Sequence, residues 1–544
     1  MKMKKALALG LSTAMAAGML AGCGSSDSSS ASSAAAETAA ESTEAAAETT
    51  ASGDEKVLNF GCQMYSDGNI DPLHDTNGAW NLMRYGIGEC LFKFDDSMNP
   101  QPWLAEDATT EDNITWVVQL KEGIKFSDGC DMTATKVAQS LQTMLDRGPD
   151  GSSTPERFLP YETEITADDD ANTVTIVLPS ANFNLKGNLC YPVAAIVDVD
   201  DTEDYMSGTI GTGPYMVENF EDQVGYTMVA NENYYEEVPY DKVEIIYMGD
   251  ASAKAMALQS GQVDLVENIT NVSDLQKLEE DENYTVDIAS GVRCGFAWMN
   301  FNGVLGNDTL RQAILMGIDY QTICESNTIG GLYTAGFSVL PSTLDYGYDN
   351  LTNPYEYDPE GAAKLLDDAD IVDTDGDGIR ELDGENINLT AVSYENRLLN
   401  DFMDAQTQYL TDLGIGITPS YGSSDDQWSS LVAGEYDFNQ NNWTTVGNGD
   451  PTEYLSNWYS KAASNYCGYE SEDYDKAYEA LMEESDLEKR AELIQEMQQI
   501  LVDDAAVLVD GYYNSSMISS NKVANAHIHT ADYYWITTEI TPAE

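Results

Sequence analysis

Positively charged and histidine side chains are scarce in this sequence. Its 544 residues include 25 lysines and arginines and 3 histidines, against 94 aspartates and glutamates, which gives a formal net charge of −69. A surface this acidic repels phosphate backbones and anionic lipid, so nucleic acid and a charged membrane surface are poor partners. The charge either keeps an extracellular protein soluble or concentrates cationic ligands.

Catalytic signatures are also missing. The sequence contains no G-x-S-x-G, H-E-x-x-H or G-x-x-x-x-G-K-[ST] pattern, and each of these patterns marks a common class of enzyme. We therefore expect a protein that is not an enzyme and that holds no cofactor and no resident metal.

No C-x-x-C pair is present, so zinc ribbons and thioredoxin-like chemistry lack support. Seven cysteines follow Cys23, and an odd number cannot all pair internally. These seven are Cys62, Cys90, Cys130, Cys190, Cys294, Cys324 and Cys467. Isolated buried thiols are one interpretation, and one or two disulfides in an extracellular compartment are the other.

Long apolar runs are absent except for a short one at the N-terminus. The basic start Met1–Lys5 precedes the apolar run Ala6–Leu20, which is too short for an ordinary membrane-spanning helix and typical of a signal peptide. The tetrapeptide Leu20–Cys23 follows and resembles the bacterial lipobox. We therefore expect a signal peptide at residues 1–22 and a diacylglycerol group on Cys23, with ordinary secretory cleavage as the alternative.

Residues 23–55 consist mainly of serine, alanine, glutamate and threonine. With almost no large apolar side chain, such a segment cannot offset its ordering entropy by burial, and it is predicted to be a flexible tether. The lipid is then the expected membrane attachment. A tether of this length favours the extracellular face of the membrane in a Gram-positive type of cell envelope.

After Val57, short strand-like and helix-like segments alternate. Segments rich in β-branched residues predict strands at Ile114–Leu120, Thr173–Leu178 and Val243–Tyr247. Capping chemistry predicts helix starts at Thr133, Asp250, Asp358 and a capping box at Ser485–Glu488, and a helix end at Gly261. This mixture predicts an α/β architecture, and the absence of a 20–50 residue period argues against a repeat protein.

Three sequence blocks carry information about function. The first contains Pro102–Glu106, Trp116–Leu120, Lys125–Gly129 and Thr133–Val137. The second contains Gly211–Tyr215, Asn231, Tyr234–Tyr235 and Ala257–Asp264. The third contains Phe301–Asn302, Leu310–Ala313, Ile318–Asp319, Tyr357–Pro359 and Asp373–Arg380. In order and spacing these blocks resemble the family 5 extracellular solute-binding proteins, the oligopeptide-, dipeptide- and nickel-binding components of ABC importers.

The resemblance implies a two-lobed periplasmic-binding-protein clamshell of the class II type, in the large variant with an extra subdomain. Lobe one is expected to comprise residues 56–290, with the extra subdomain at about 86–200, and the C-terminal return 507–544. Lobe two is expected at 295–505. The ligand lies between the lobes, which close around it. The implied partners are a short peptide or another small molecule and the permease and ATPase subunits, with the protein itself a monomer.

The resemblance also implies a ligand-contacting tryptophan, because members of the family place one in the cleft shortly before an Asp-Pro pair. Here Trp443 precedes Asp450 and Pro451, and a core tryptophan is the alternative. Several peptide-binding members anchor the ligand ammonium with an aspartate, where this chain has Gly447 or Asn448. Asp450 either substitutes for that aspartate or caps a helix through 451–459. The expected ligand contacts are Trp443, Thr444, Gly447, Asn448, Asp450 and Tyr65.

Two further patterns concern metals. Asp373, Asp375 and Asp377 copy the front half of a calcium loop, but position twelve is Gly384 instead of glutamate, so the pattern indicates either a polar turn or a calcium site. His527 and His529 are two residues apart and either share a strand face that could hold nickel or copper or are exposed bystanders.

Three functions remain open at this point. The first is capture of short peptides for import. The second is the same fold binding a nickel chelate, which brings its own donors, or another non-peptide solute. The third is a surface receptor or adhesin without a transport role.

Overall fold

The computed structural model describes residues 55–73, 75–148, 158–394 and 397–543. The expected signal peptide at 1–22, Cys23 and all but the last residue of the expected tether lie outside the described residues. Within the described part of the chain, no helix is both long enough and apolar enough to cross a bilayer.

Strands account for most of the long-range structure. In chain order they are β1 (Val57–Cys62), β2 (Phe92–Phe94), β3 (Pro100–Pro102), β4 (Ala105–Thr110), β5 (Thr115–Leu120), β6 (Glu164–Asp168), β7 (Thr173–Val177), β8 (Tyr215–Glu221), β9 (Gly225–Ala230), β10 (Lys242–Tyr247), β11 (Leu265–Glu267), β12 (Tyr284–Met299), β13 (Tyr333–Thr334), β14 (Glu381–Leu382), β15 (Glu385–Asn386), β16 (Asn388–Tyr394), β17 (Gly416–Gly422), β18 (Phe438–Thr444), β19 (Val507–Ser520), β20 (Val523–Ala524) and β21 (Thr541–Pro542).

Helices connect and cover the strands. They are α1 (Thr76–Arg84), α2 (Ala134–Arg147), α3 (Leu185–Asn188), α4 (Ala251–Ser260), α5 (Val272–Glu279), α6 (Asp308–Gly317), α7 (Tyr320–Cys324), α8 (Pro359–Asp368), α9 (Leu399–Asp412), α10 (Ser424–Ala433), α11 (Thr452–Leu455), α12 (Glu472–Glu483) and α13 (Leu487–Asp503). Short 3₁₀ turns lie at Ser66–Gly68, Pro192–Ala194, Val304–Gly306, Tyr348–Asn350 and Ser456–Trp458.

The predicted strands correspond to β5, β7 and β10. Thr133, Asp250 and Asp358 cap α2, α4 and α8 as predicted, each accepting a bond from a backbone N–H three residues on. Gly261 ends α4 in the left-handed conformation with φ of 74°.

The predicted capping box at Ser485–Glu488 is wrong. The residue that caps α13 is Asp486, whose carboxylate accepts from the Lys489 N–H at 3.2 Å. Ser485 lies outside the helix because its N–H donates to Glu484 Oε1 at 2.9 Å. The helix therefore begins one residue later, and its first residue, Leu487, is 72% exposed.

An eleven-stranded mixed sheet runs through the protein. Ten strands follow the order β17-β16-β18-β12-β19-β11-β1-β10-β9-β8, and β13 pairs with β19. The long antiparallel strands β12 and β19 lie between the two ends of this sheet. Both ends of the sheet are therefore joined to the same central pair of strands.

The pairing of β12 with β19 is interrupted between Ser290 and Arg293. A Cβ atom on Gly291 would lie 2.6 Å from the carbonyl oxygen of Tyr513, so glycine is required at this close approach. Such an irregularity bends a strand and re-aims the next side chain. The first residue that pairs with β19 after this irregularity is Arg293.

A separate four-stranded sheet, in the order β4-β5-β7-β6, lies within the predicted extra subdomain. Helix α2 packs beside it and buries one face, formed by Val137, Leu141, Met144 and Leu145.

Buried apolar side chains form three clusters. The first combines residues between Leu58 and Leu265 with C-terminal residues such as Tyr533 and Trp535. The other two lie mostly between residues 294 and 518, and one of them also takes in α4 and α5. The C-terminal residues therefore pack with the first half of the chain. The division into lobes at the expected boundaries stays a prediction.

Candidate functional site

A cavity of about 310 Å³ lies where distant parts of the chain meet. Its lining includes Tyr65 and Lys254, together with Asp401 in the first turn of α9 and Arg397 just before that helix. Tyr513 of β19 also contributes to the lining. The cavity therefore lies against the central strand pair of the sheet, between its two ends.

Ion pairing separates two arginines from the others, and one of the two, Arg397, lines this cavity. Of the seven arginines in the described residues, five form ion pairs with carboxylates. The five pairs are Arg84–Asp532, Arg147–Asp71, Arg311–Asp308, Arg380–Asp367 and Arg490–Asp450. Arg293 and Arg397 have no carboxylate partner among the described residues. In a chain with 94 acidic residues, two such arginines indicate a site for an external anion.

Arg293 follows the irregularity in β12 and is half-buried. The centre of its guanidinium group lies 5.6 Å from the ring centroid of Trp80, and its Nη1 donates a long bond, at 3.4 Å, to the carbonyl oxygen of Asn442. Burial and the charge of Arg397 lower the pKa of Arg293 to about 10. Both arginines are therefore charged at neutral pH, and an anion between them relieves their repulsion.

Arg397 sits on strained backbone. Its φ is +49° and that of Leu398 is +58°, so two successive residues other than glycine adopt the left-handed conformation. Each such residue costs on the order of 1–3 kcal/mol, and strain of this kind concentrates at ligand clamps. The Tyr333 hydroxyl donates to the carbonyl oxygen of Arg397 at 2.7 Å, which holds the segment in place. Its guanidinium lies 5.1 Å from the ring centroid of Tyr513.

The other strongly buried charges near the cavity are paired with each other. Arg84 Nη2 lies 2.6 Å from Asp532 Oδ2, and Lys254 Nζ lies 2.8 Å from Glu267 Oε1. Lys254 also donates to the backbone carbonyl oxygens of Glu267 and Asn268. Each of these two pairs is electrically neutral, so the unpaired Arg293 and Arg397 leave an excess of positive charge.

Asp401 is the acidic group of the cavity wall. It is half-buried, and no lysine, arginine or histidine of the described residues lies within ion-pair distance of its carboxylate. Burial and the neighbouring Asp404 raise the pKa of Asp401 above its ordinary value. The cavity thus exposes an unpaired cation and an unpaired anion on the same wall.

Of the predicted contacts, Tyr65 lines the cavity, and Trp443 and Thr444 lie at the end of β18, where it pairs with β12 beside Arg293. Tyr65 lines the cavity, with its ring centroid 5.1 Å from the guanidinium carbon of Arg84. Thr444 ends β18 directly opposite Arg293 in β12. Trp443 is half-buried and packs edge-on against the buried Trp298, with ring centroids 5.2 Å apart. Trp443 therefore combines a core contact with an exposed part.

The other three predicted contacts have protein partners instead. The carbonyl oxygen of Gly447 accepts from the Tyr533 hydroxyl at 2.9 Å. Asn448 Nδ2 donates to Asn188 Oδ1, also at 2.9 Å. These bonds join the segment to residues of the expected lobe one, and a direct ligand contact from Gly447 or Asn448 stays a prediction.

Asp450 belongs to a buried ion pair. Its Oδ2 lies 2.8 Å from Arg490 Nη2, and its Oδ1 accepts from the Thr452 N–H at 2.9 Å. The helix that follows, α11, spans Thr452–Leu455 and is shorter than the expected 451–459. Both carboxylate oxygens of Asp450 are thus engaged inside the protein, and its role as a ligand anchor also stays a prediction.

The two metal patterns have internal partners as well. Asp373, Asp375 and Asp377 are exposed and lie within 4.8 Å of one another, and each accepts a backbone N–H of its own loop. His529 is buried, with Nε2 bonded to the carbonyl oxygen of Asp95 and Nδ1 accepting from the Ala531 N–H. Burial lowers its pKa to about 4, so the ring is neutral and both nitrogens are occupied.

His527 lies between Asp287 and Asp96, at 2.8 and 3.1 Å. The seven cysteines after Cys23 are free thiols, and six of them are buried. No disulfide links them in the described residues.

Arg293, Arg397 and Asp401 are not among the contacts expected from the sequence. They belong to no recognisable motif, and Arg293 is placed by a strand irregularity that has no sequence signature. One signal was present in the sequence. Because arginines are few and acidic residues are many, most arginines are expected to have an acidic partner, and an arginine without one indicates a candidate site.

Comparison with known proteins gives the fold and the family. The solved DppA of Helicobacter pylori, described as an ABC transporter-associated periplasmic binding protein in complex with the peptide STSA, has a TM-score of 0.71 at 20% identity, covering 90% of this chain and 98% of its own. NikA of Staphylococcus aureus in complex with Ni(L-His)2 has a TM-score of 0.71 at 21% identity, covering 90% of this chain and 100% of its own. Similarity at these identities shows the shared fold alone. The predicted two-lobed α/β fold class is therefore confirmed.

Sequence comparison extends this result. The oligopeptide-binding protein AppA of Bacillus subtilis (strain 168) is 24% identical over 489 residues, which cover 85% of this chain and 87% of that protein. The family model described as bacterial extracellular solute-binding proteins, family 5 Middle, matches residues 99–466, more than half of the chain. The protein belongs to the family 5 bacterial extracellular solute-binding proteins.

Proposed function

We propose that this protein captures short peptides in the cavity between its lobes and delivers them to the permease and ATPase of an ABC importer, without catalysing a reaction. One observation carries the proposal: Arg293 and Arg397 lack carboxylate partners among the described residues of a strongly acidic chain. A guanidinium group binds a carboxylate through two parallel charge-assisted hydrogen bonds. The peptide C-terminus supplies such a carboxylate.

Capture and lobe closure are coupled in this proposal. A ligand drives closure only through contacts that are made in the closed state and absent in the open one. Arg293 lies on the central strand β12, whereas Arg397 lies at the start of α9. A carboxylate held by both arginines bridges the centre of the molecule and one lobe.

The experiment is a thermal-shift and calorimetric screen of the mature protein against a pool of di- to hexapeptides. We expect a bound peptide to raise the melting temperature, and Arg397→Gln to weaken its affinity by about tenfold or more, the range for a hydrogen bond between charged partners. Arg147→Gln is the matched control, because Arg147 has its own partner, Asp71, at 2.6 Å. If no peptide pool stabilises the wild-type protein, peptide capture is ruled out.

A nickel chelate is the second candidate. NikA of Staphylococcus aureus, solved in complex with Ni(L-His)2, shares the fold, and the carboxylates of an amino-acid chelate could also meet the two arginines. Native mass spectrometry of protein purified from its own host separates the candidates by the mass of the carried ligand. A receptor or adhesin role without transport would show in a strain lacking the permease genes, where the function would persist.

Attachment to the membrane is part of the same proposal. We infer from the lipobox-like Leu20–Cys23 that Cys23 carries the lipid and that the protein works as a monomer on the extracellular face. Intact mass analysis of the membrane-extracted protein tests this. We expect a diacylglyceryl group on an N-terminal Cys23, and Cys23→Ser should release the protein into the medium.

A further inference from the structure

We propose that Asp401 binds the free ammonium group of the ligand, so that the cavity selects a zwitterion with an uncapped N-terminus and rejects chelates whose amines are bound to metal. This inference rests on the proposed function and deepens it. It assigns the ammonium anchor to α9, not to the segment after Trp443 where the family resemblance led us to expect it.

The first support is position. Asp401 and Arg397 both line the cavity of about 310 Å³, and they are separated by a single turn of chain at the start of α9. Among the described residues, neither has an oppositely charged partner within ion-pair distance. Because Arg397 and Asp401 are close in sequence and line the same cavity, a ligand that reaches one is within reach of the other.

The second support is the balance of charge. The other charged residue of the lining, Lys254, is already paired with Glu267. A ligand with only a carboxylate would satisfy the arginines and leave Asp401 desolvated without a partner, which is costly for a half-buried carboxylate. A ligand with an ammonium group as well satisfies both charges. Burial already raises the pKa of Asp401, as expected for a partly buried carboxylate with no cation beside it.

The expected family position does not supply this anchor. Position 447 is glycine, Asn448 is bonded to Asn188, and both carboxylate oxygens of Asp450 are engaged by Arg490 and Thr452. The chain therefore has no free acid in the 447–450 segment. Asp401 is the acid that is left facing the cavity.

A purely structural role for Asp401 is the competing explanation. It is the third residue of α9, where an acidic side chain interacts favourably with the helix dipole. Asp404 provides the matched comparison, since it lies on the same helix and its carboxylate accepts from the Tyr421 hydroxyl. A structural role for Asp401 would affect unfolding but would not depend on the state of the ligand's amino group.

The chemistry also separates the two candidate ligand classes. In a metal chelate of amino acids the amine donates its lone pair to the metal and presents no ammonium. Such a complex meets Arg293 and Arg397 with its carboxylates but offers Asp401 only the N–H groups of a metal-bound amine, without the charge of a free ammonium group. Selection by Asp401 therefore favours free peptides.

The experiment compares a random di- to hexapeptide pool with the same pool after complete N-acetylation, using native mass spectrometry to count bound peptide. The most enriched peptide and its acetylated form are then titrated into wild type, Asp401→Asn and Asp404→Asn by calorimetry. We expect acetylation to weaken binding to wild type and to Asp404→Asn by about tenfold or more, and to have no effect on Asp401→Asn. Melting temperatures without ligand check that all three proteins are folded.

The outcomes distinguish the inference from the function it rests on. If neither pool binds wild type, the proposed function fails and the inference with it. If the free and acetylated pools bind equally, or if acetylation weakens Asp401→Asn as much as wild type, peptide capture stands and the role of Asp401 is overturned. If Ni(L-His)2 binds wild type more tightly than any peptide, selection for a free ammonium is likewise overturned.

Discussion

At the scale of single residues, burial sets the chemistry of several acids. Asp510 on β19 is fully buried and accepts a bond from Gln406 Nε2 at 2.6 Å. Burial raises the pKa of Asp510 from 3.8 to about 7. Because an amide donates to either form of the carboxyl group, this bond does not compensate for the charge, and the neutral acid is the form that fits the core.

This shift predicts how stability depends on pH. Between about pH 4 and 7 the folded protein binds the Asp510 proton and the unfolded chain does not, so this group makes stability fall as pH rises through that window. Asp510→Asn removes the proton and keeps the shape. We expect thermal melts from pH 4 to 8 to show a smaller loss of melting temperature in the variant than in wild type.

Two comparisons make the result specific. Glu89 is also buried with a pKa raised to about 7, so Glu89→Gln should flatten the same curve, and the double variant should flatten it further. The exposed Glu282→Gln is the control for loss of one negative charge. An unchanged pH slope in Asp510→Asn would contradict the assignment.

At the scale of elements, local sequence chemistry correctly predicts where a helix starts, or where a strand lies, when a single residue determines it. Thr133 and Asp250 cap their helices as predicted because neither has a competing acceptor beside it. Ser485 fails because Glu484 takes its N–H and Asp486 offers a stronger acceptor one residue later. Where two neighbours can both cap, sequence alone does not say which one does.

The candidate site shows the same limit more strongly. Tyr65, Trp443 and Thr444 could be proposed from family resemblance, and of these Tyr65 lines the cavity, whereas ligand contacts from all three stay predictions. Arg293 and Arg397 could not be proposed in this way, because what distinguishes them is that they have no carboxylate partner among the described residues. That property depends on pairing across hundreds of residues, as in Arg84 with Asp532, which are 448 positions apart.

The irregularity in β12 gives a prediction for this element. A methyl group on Gly291 would lie 2.6 Å from the Tyr513 carbonyl oxygen, so Gly291→Ala must push β12 away from β19. Overpacking of this kind costs about 1–3 kcal/mol, and it should also misplace Arg293. We expect a lower melting temperature together with weaker peptide binding, measured by denaturant unfolding and calorimetry.

Gly208→Ala serves as the comparison, because a Cβ there meets only an ordinary contact, the Asp204 carbonyl oxygen at 3.4 Å. A Gly291→Ala protein with wild-type stability and affinity would show that the strand pair tolerates the change and that the irregularity does not position Arg293.

At the scale of the whole molecule, the central question is what holds the lobes together. The segment after β18 makes hydrogen bonds to the expected lobe one through three groups. Tyr533 donates to Gly447, Asn184 donates to the carbonyl oxygen of Asn448, and Asn448 donates to Asn188. None of these residues lines the cavity, so the bonds join the segment to the expected lobe one outside the cavity.

This arrangement predicts that Asn448 acts on affinity through closure. When only the closed fraction binds ligand tightly, the apparent dissociation constant rises as that fraction falls. Removing one such hydrogen bond, worth about 1 kcal/mol, should weaken peptide binding by about fivefold. We expect Asn448→Ala and Asn188→Ala to have similar effects on affinity, measured by calorimetry, and scattering to show a larger radius of gyration in both.

The double variant decides between closure and direct contact. If Asn448 acts only through its bond to Asn188, the double variant binds no more weakly than either single variant, because the same interaction is lost once. If Asn448 touches the ligand, as family resemblance led us to expect, Asn448→Ala weakens binding further in the Asn188→Ala background. Additive losses of affinity would therefore show that Asn448 contacts the ligand directly and does not act through closure alone.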